Sequence, residues 1–310
     1  MSRHTLSSTA KRSYWLGRYL ERADSTARMV AENGNLLLDL PKRLPLAWQP
    51  LVNITGSATL FNEISREPNE RSVTRFLIND RRNPASLANS LEWARENART
   101  LRGIIPRHAV EYIIELHLYA KEHLSQPLSR SRRAEGLSNV SEFIQRIDGF
   151  MSANMLHDAH WNFWRLGNFI ERADMTSRII DVGADNLLQP AVELEPFADI
   201  QWRSVLRSLN ATQSYASIVQ APIQSNAVLE FLIKNPALPR SLTYSLSSMR
   251  NSLRALPRSQ RVLRTVNQLR RHIDQCDTTN LEGKALREFL DDFQLQLAHV
   301  HEHVNKIYFA

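Results

Sequence analysis

The sequence contains the same polar motif twice, 150 residues apart. Residues 14–28 read YWLGRYLERADSTAR and residues 164–178 read WRLGNFIERADMTSR. Most of the shared residues are charged or polar, whereas a fold alone would repeat apolar positions. The eight identical pairs are Leu16/Leu166, Gly17/Gly167, Glu21/Glu171, Arg22/Arg172, Ala23/Ala173, Asp24/Asp174, Thr26/Thr176 and Arg28/Arg178. Such self-similarity indicates duplication, and its period is far too long for the unit of a solenoid.

The similarity extends beyond this motif. Residues 73–101 match residues 228–256 at a shift of 155, with Phe-Leu-Ile, Pro-x-Ser-Leu and two arginines in common. Strand signals are absent, and nine glycines in 310 residues are few. We therefore predict an all-α multi-helix bundle of two pseudo-symmetric repeats, 1–128 and 137–310, which share one core. The polar, basic segment 125–136 is predicted to link them.

Apolar periodicity and turn residues predict the individual helices. A serine or threonine at positions 7–9 is expected to cap the first, and Pro84 to lie in the first turn of the fourth. The predicted helices cover 8–39, 46–65, 72–79, 83–102, 106–124, 138–152, 157–188, 200–218, 225–233, 240–256, 259–276 and 282–308.

The amino-acid composition excludes several classes of protein. A single cysteine, Cys276, excludes an internal disulfide and a cysteine metal cluster. The N-terminus lacks the apolar core of a signal peptide, and no apolar run approaches the ~18–20 residues that span a bilayer. We therefore expect a cytoplasmic protein with no membrane partner. The net charge of +7 is carried mostly by arginine, which reflects either codon bias or a preference for anionic partners.

The repeated motif places a charged stripe along a helix. At 100° per residue, its glycine, glutamate, aspartate and last arginine lie on one side, roughly opposite the apolar residues. A glycine inside a helix costs about 0.5–1 kcal/mol relative to alanine, so its presence in both copies predicts close approach of another backbone or of a ligand. The stripes are Gly17, Glu21, Asp24 and Arg28, and Gly167, Glu171, Asp174 and Arg178.

Three interpretations of the stripes remain open. They form a structural ion network, favoured by the i, i+4 spacing of aspartate and arginine. Alternatively, they bind a substrate, with the acids orienting an amino group and the arginines holding a carboxylate or an acyl phosphate. The third is a di-metal site, although such bundles usually present Glu-x-x-His, and here aspartate stands third after each glutamate. The candidate residues are Glu21, Arg22, Asp24, Arg28, Glu171, Arg172, Asp174 and Arg178.

Three further residues complete the candidate substrate site. His157 precedes the second stripe and aligns with His303 in a third, fainter match. Arg95 and Arg250 are equivalent positions, each downstream of a Pro-x-Ser-Leu helix start. That start either offers free N–H groups to an anion or is capped by its serine, with the arginines then pairing with the stripe acids. We favour the second reading. His299 and His303 have zinc-chelating spacing, but ordinary polar roles are favoured, so no metal is predicted.

Several function classes lack their sequence fingerprints. We find no serine elbow, Walker loop, dinucleotide motif or Cys/His nucleophile pair, so no cofactor is predicted. The short basic runs do not interleave with aromatic residues, which makes nucleic acid an unlikely partner. Association with a second copy of the chain stays open.

The motifs WLGRYLERAD and WRLGNFIERADMTSR, the preceding HDAHW and the Pro-x-Ser-Leu segments resemble the bacterial alpha-E family. The resemblance covers essentially the whole chain and implies an all-helical domain of unknown function. It also implies partners, since such proteins are typically encoded beside a circularly permuted ATP-grasp ligase-like protein and a transglutaminase-like protein. On this basis we expect a component of a peptide- or amide-bond forming or modifying system. The alternatives are a non-enzymatic scaffold or adaptor and a helical metalloenzyme.

Overall fold

The chain is all-α. A computed structural model describes residues 3–39, 48–65, 67–188 and 198–310. Within these ranges there are fourteen α-helices, a short π-helical turn over Asn305–Phe309 and no strand. The helices are α1 (Arg3–Asp39), α2 (Gln49–Ile54), α3 (Ala58–Ile64), α4 (Glu70–Ile78), α5 (Leu87–Thr100), α6 (Arg107–His123), α7 (Arg130–Asn154), α8 (Ala159–Leu188), α9 (Ala198–Ser208), α10 (Thr212–Val219), α11 (Ser225–Lys234), α12 (Leu242–Arg254), α13 (Gln260–Gln275) and α14 (Gly283–Val304).

Two predicted helices are each broken into two. The predicted helix 46–65 becomes α2 and α3 because Gly56 adopts a φ of 66°, a left-handed conformation that ends a helix. The predicted helix 200–218 becomes α9 and α10, and Asn210 takes a φ of 51° at the break. The first helix begins at Arg3, so the cap expected at positions 7–9 is wrong. Ser7 instead donates its hydroxyl to the carbonyl of Tyr308.

The predicted linker 125–136 is wrong over its second half. Helix α7 begins at Arg130, and the hydroxyl of Ser129 accepts a hydrogen bond from a backbone N–H of its first turn. Arg130 and Arg133 both bind Glu70 on α4. These ion pairs give the basic residues of the segment a folded role. The division into repeats at 1–128 and 137–310 stays a prediction.

Helices α1 and α8 form the central pair of the bundle. Helices α5 and α7 pack on α1, helices α12 and α14 pack on α8, and α9 contacts both. The apolar residues that the two motifs share, Leu16, Ala23, Leu166 and Ala173, are fully buried. Because the opposite, charged side of α1 faces α8, the charged stripes lie inside the protein. Among the described residues, no helix combines the length and apolar character needed to cross a membrane.

Candidate functional site

The two motif glycines mark the point where α1 and α8 cross. A Cβ atom on Gly17 would lie 2.2 Å from the carbonyl oxygen of Trp164. A Cβ atom on Gly167 would lie 1.9 Å from the carbonyl oxygen of Tyr14. Any larger residue would therefore overlap with the backbone of the other helix. The predicted close approach is confirmed, and its partner is another backbone.

The crossing brings Glu171 of α8 against two arginines of α1. Arg18 donates from Nε to one carboxylate oxygen at 2.6 Å. Arg22 donates from Nε to the other oxygen at 2.5 Å and from Nη2 to the first at 3.1 Å. Glu171 is only 1% exposed. Both of its oxygens thus accept charge-assisted hydrogen bonds. Arg22 binds both oxygens at once, in the bidentate geometry that arginine favours.

Glu21 of α1 has a matching environment on the other side of the crossing. Arg172 donates from Nη2 at 2.6 Å, and Asn168 donates from its amide at 3.3 Å to the same oxygen. Arg240, just before α12, donates from Nη1 at 2.5 Å to the other oxygen. Glu21 is 2% exposed. This carboxylate, too, is fully occupied by side chains of the same chain.

The Glu-Arg step of each motif therefore pairs reciprocally. Arg22 binds the glutamate of the second copy, and Arg172 binds the glutamate of the first. The two sides differ at one position, because Arg18 corresponds to Asn168. An amide cannot supply the missing positive charge, and Arg240 supplies it from outside the motif.

The motif aspartates extend the network along the helices. Asp24 binds Arg28, one turn later, at 2.9 Å and Arg240 at 2.8 Å. Asp174 binds Arg178, also one turn later, at 2.9 Å. The i, i+4 pairing predicted from the sequence is confirmed in both copies.

The electrostatics of the network favour charged glutamates. Burial alone would raise the pKa of Glu171, but the positive charges of Arg18 and Arg22 outweigh it and lower that pKa to about 2. Burial opposes ionisation of Glu21 as well, and Arg172 and Arg240 lower its pKa to about 2. Burial, followed by the like charge of Arg240, lowers the pKa of Arg28 to about 10. Glu21, Glu171 and Arg28 are thus charged at neutral pH.

Positive charge exceeds negative charge in this network. Every one of its four carboxylates has at least one guanidinium partner within 3 Å, although the buried Oδ1 of Asp24 accepts no hydrogen bond from the described residues. The acids are Glu21, Asp24, Glu171 and Asp174, and the six guanidinium groups belong to Arg18, Arg22, Arg28, Arg172, Arg178 and Arg240.

A buried tyrosine–histidine pair lies beside Glu171. The Tyr14 hydroxyl and Nδ1 of His301 are 2.8 Å apart, and the two rings stack with their centroids 5.7 Å apart. Burial, followed by the positive charge of Arg18, lowers the pKa of His301 to about 4. Burial raises the pKa of Tyr14 to about 12. Both groups are therefore neutral at pH 7 and extend the packed core around the ion network.

The three candidate residues outside the stripes lie away from the network. His157 is exposed, stacks on Trp161 and donates to the carbonyl of Ser152. Arg95 pairs with Glu92 and Glu96 of its own helix. Arg250 makes no ion pair with any residue in the described ranges, 3–39, 48–65, 67–188 and 198–310. The expected pairing of these arginines with the stripe acids is wrong.

The Pro-x-Ser-Leu segments are capped helix starts. The Ser86 hydroxyl accepts from the N–H of Asn89, and the Ser241 hydroxyl accepts from the N–H of Tyr244. Helix α5 begins at Leu87, so Pro84 precedes the helix and does not lie in its first turn. The serine satisfies an N–H group that an anion would otherwise have bound. Capping, one of the two roles left open above, is therefore confirmed.

Sequence reasoning missed two arginines of the network, Arg18 and Arg240. Arg240 occupies the variable position of Pro-x-Ser-Leu, where the first repeat has Ala85. The available signal was this mismatch, together with the loss of an arginine at Asn168. The second motif lacks a positive charge at Asn168, and Arg240 supplies it from a position that also differs between the repeats.

The metal interpretation finds no set of ligands. Across the part of the chain that the structure describes, no three His, Cys, Asp or Glu side chains gather as a metal site would require. Of the two histidines with zinc-chelating spacing, His303 lies 3.0 Å from the Thr265 hydroxyl through its Nδ1, and His299 is exposed.

Comparison with protein families decides the identity of the domain. A model of the Alpha-E family, described as a predicted alpha-helical domain with a conserved ER motif, matches residues 5–309. The chain belongs to the Alpha-E family. The letters ER in this description match the two Glu-Arg steps that pair reciprocally in the chain, Glu21-Arg22 and Glu171-Arg172.

The curated relatives of this Alpha-E chain are larger proteins. It is 24% identical over 301 residues to Uncharacterized protein Mb2597 of Mycobacterium bovis and to Uncharacterized protein Rv2567 of Mycobacterium tuberculosis. Each alignment covers 87% of this chain and 33% of the relative. The chain thus spans about a third of the length of the curated relatives it matches. No solved structure matches the chain.

Proposed function

We propose that this Alpha-E protein is a helical partner-binding component of an ATP-grasp-linked system that forms or modifies peptide or amide bonds. In this proposal the protein is an adaptor that works in the cytoplasm beside the ligase. The Glu-Arg network is its structural core. The ATP-grasp ligase-like protein and the transglutaminase-like protein are the proposed partners, on the basis of the family resemblance.

The observation that carries the structural part is the saturation of the two motif glutamates by arginines of the same chain. Glu21 and Glu171 are almost fully buried, and each already accepts hydrogen bonds from two arginines. A substrate would have to displace these bonds and expose buried charges, which costs several kcal/mol. The same bonds fix α1 against α8, and helices α5, α7, α9, α12 and α14 pack directly on this pair. We therefore assign the motif to the architecture that presents the outer helices.

The relatives support a role beside another polypeptide. In them, the region similar to this chain occupies a third of a longer protein, so two thirds of each relative lies outside the alignment. A domain that occupies a third of a longer protein is typical of a module that works next to another domain. The partial coverage of the relatives favours partner binding but does not identify the chemical character of the partner.

A second candidate function is binding of an anion at the network itself. The excess of guanidinium groups over carboxylates favours it, because two positive charges are not neutralised within the set. At the rim of the network, the side chain of Arg178 is 28% exposed. A carboxylate or phosphate bound there would neutralise part of the excess positive charge.

Affinity capture tests the proposal. The tagged full-length chain is expressed in its native host, captured with and without added ATP, and the captured proteins are identified by mass spectrometry. We expect recovery of an ATP-grasp ligase-like protein above a tag-only control. A preparation of the folded chain that captures no such ligase under either condition would overturn the proposed role.

A pair of variants separates the two candidate functions. Arg178→Gln removes the exposed guanidinium of the rim, whereas Arg107→Gln removes an exposed one on α6 that pairs with Glu111. If the network binds an anion, phosphate should stabilise the parent and the α6 variant against heat but not Arg178→Gln. If the adaptor proposal holds, phosphate stabilises none of the three and ligase capture is unchanged in both variants.

A further inference from the structure

The basic charge of the protein is concentrated in one segment. Residues 231–273 contain no aspartate and no glutamate, although they make up 43 of the 310 residues. Their nine basic residues exceed the net charge of the whole chain, +7. They are Lys234, Arg240, Arg250, Arg254, Arg258, Arg261, Arg264, Arg270 and Arg271. Arg240 serves the buried network, Lys234 pairs with Glu230 and Arg270 pairs with Asp274, which leaves six arginines.

Six of these arginines form a set that we name the arginine face. They lie on α12, on α13 and in the turn between these adjacent helices, and none makes an ion pair with a residue of the described ranges. Five are exposed and one is half-buried. The members are Arg250, Arg254, Arg258, Arg261, Arg264 and Arg271. Elsewhere, exposed Arg82 and Arg107 each bind an acidic neighbour, whereas exposed Arg71, Arg75 and Arg132 make no ion pair with a described residue.

The arginine face has a regular register. On α13, Arg261, Arg264, Gln268 and Arg271 are spaced three or four residues apart, which aligns them along one side of the helix. Between α12 and α13 there is a shallow groove of about 520 Å³. The residues that line it are all of polar type: Arg250, Arg264, Asn267, Gln268, Arg270 and Arg271. A row of cations therefore borders a groove that also carries two amides.

The arrangement weakens the isolated protein. Like charges three or four residues apart on a helix repel one another, and no acidic residue within the segment offsets them. Arg270 does have an acidic partner that offsets its charge, because its guanidinium binds Asp274 just beyond the segment. The six members of the arginine face have no such partner among the residues that the structure describes. An anionic partner would convert this repulsion into attraction.

We propose that the arginine face binds an acidic segment of a partner protein. Guanidinium groups bind carboxylates in bidentate fashion, so they fit aspartate and glutamate side chains. The groove amides of Asn267 and Gln268 can both donate and accept hydrogen bonds, as a peptide backbone requires. A phosphate backbone, by contrast, offers only acceptors. The proposal rests on the proposed partner-binding function and specifies the chemistry of the partner.

Other anionic partners fit this face less well. Single-stranded nucleic acid binds where aromatic rings stack on its bases, and the groove is lined by no aromatic residue. Peripheral membrane binding adds a buried apolar contribution to charge. Among the described residues, the exposed large apolar side chains all lie outside 231–273, at Trp93, Leu118, Leu156, Ile218 and Leu295.

The test compares two triple variants of the full chain that lose the same charge. Arg254→Gln/Arg264→Gln/Arg271→Gln alters the arginine face. The control removes three exposed arginines elsewhere, Arg71→Gln/Arg75→Gln/Arg132→Gln. The probe is a fluorescent poly-L-glutamate peptide, followed by anisotropy at physiological salt. We expect the face variant to bind the peptide at least about tenfold more weakly than the parent, and the control to differ by no more than about twofold.

Several outcomes would overturn the proposal. Equal losses in both variants would mean that the peptide responds only to net charge. Tighter binding of a DNA duplex or of phosphatidylserine vesicles than of the peptide, lost in the face variant, would assign the face to nucleic acid or to a membrane. Circular dichroism and the thermal midpoint establish that each variant is folded.

Affinity capture separates this proposal from the proposed function. If the parent and the face variant recover the ATP-grasp ligase equally well, the function stands and the arginine face is not the docking surface. If the face binds the acidic peptide but no ligase is recovered, the acidic partner stands and the ligase-linked function fails.

Discussion

Replacing Gly167 with alanine tests the central crossing most directly. Its Cβ atom would lie 1.9 Å from the carbonyl oxygen of Tyr14 and 2.8 Å from the carbonyl carbon, whereas ordinary contacts begin near 3.4 Å. Both obstructing atoms belong to the backbone of α1, so no side-chain rotation can relieve the overlap. The two central helices must separate by more than 1 Å, judged from the difference between these distances.

The expected cost follows from three contributions. Overpacking a tight contact costs about 1–3 kcal/mol, and separating the helices also stretches the bonds of Arg18 and Arg22 to Glu171, which contribute about 1.5–3 kcal/mol each. Alanine returns about 1 kcal/mol through its higher helix propensity. We expect Gly167→Ala to lower the free energy of unfolding by about 3 kcal/mol, since relaxation spares part of the hydrogen bonding.

A matched control is available on α7. Gly149 is also inside a helix, and a Cβ atom there would meet no atom within 4 Å. Gly149→Ala should therefore raise the free energy of unfolding by about 0.5–1 kcal/mol. Urea unfolding followed by circular dichroism measures both changes. If Gly167→Ala unfolds at the same urea concentration as the parent, or at a higher one, the crossing is not as tight as these distances require and the reasoning fails.

Two further predictions concern the ion network. The folded pKa of Glu171 is about 2 and its ordinary value is 4.5, so its stabilisation is complete above pH 4.5 and is lost as the pH falls towards 2. Between about pH 5 and pH 3 the parent should lose about 2 kcal/mol more unfolding free energy than Glu171→Gln, and equal losses would contradict the lowered pKa. Arg240→Ala should destabilise the protein by about 2 kcal/mol because Glu21 and Asp24 each lose a partner, whereas Arg250→Ala should change stability by less than about 0.5 kcal/mol. Thermal and urea unfolding of the two variants are measured side by side. Equal losses of stability in the two variants would contradict the assignment of Arg240 to the network.

The central helix pair could be predicted from the sequence because its signals are local. Gly17 and Glu21 share a stripe at helical spacing, and the repetition of that stripe at Gly167 and Glu171 pointed to a common packing role. Helical periodicity also located the helices, with breaks missed at Gly56 and Asn210, where a left-handed residue interrupts an otherwise helical pattern.

The partners of the charged residues could not be predicted in the same way. Arg240 lies 219 residues from Glu21 in sequence, and nothing in the pattern of either segment specifies the packing angle that brings them together. Arg95 and Arg250 occupy equivalent positions in the repeats, yet one pairs within its own helix and the other belongs to the arginine face. Equivalent positions preserve geometry, whereas ion pairs depend on which acids happen to be near.

The reciprocal pairing of α1 and α8 also sets the order of events during synthesis. Arg22 and its partner Glu171 are 149 residues apart, and Glu21 and Arg172 are 151 apart. At about 5–20 residues per second, the ribosome needs on the order of ten seconds to add that much chain. Helix α1 therefore emerges well before α8 exists and keeps its charged side in water during that interval. Slow codons between the two helices would prolong this stage, so the timing of translation bears directly on how the core is completed.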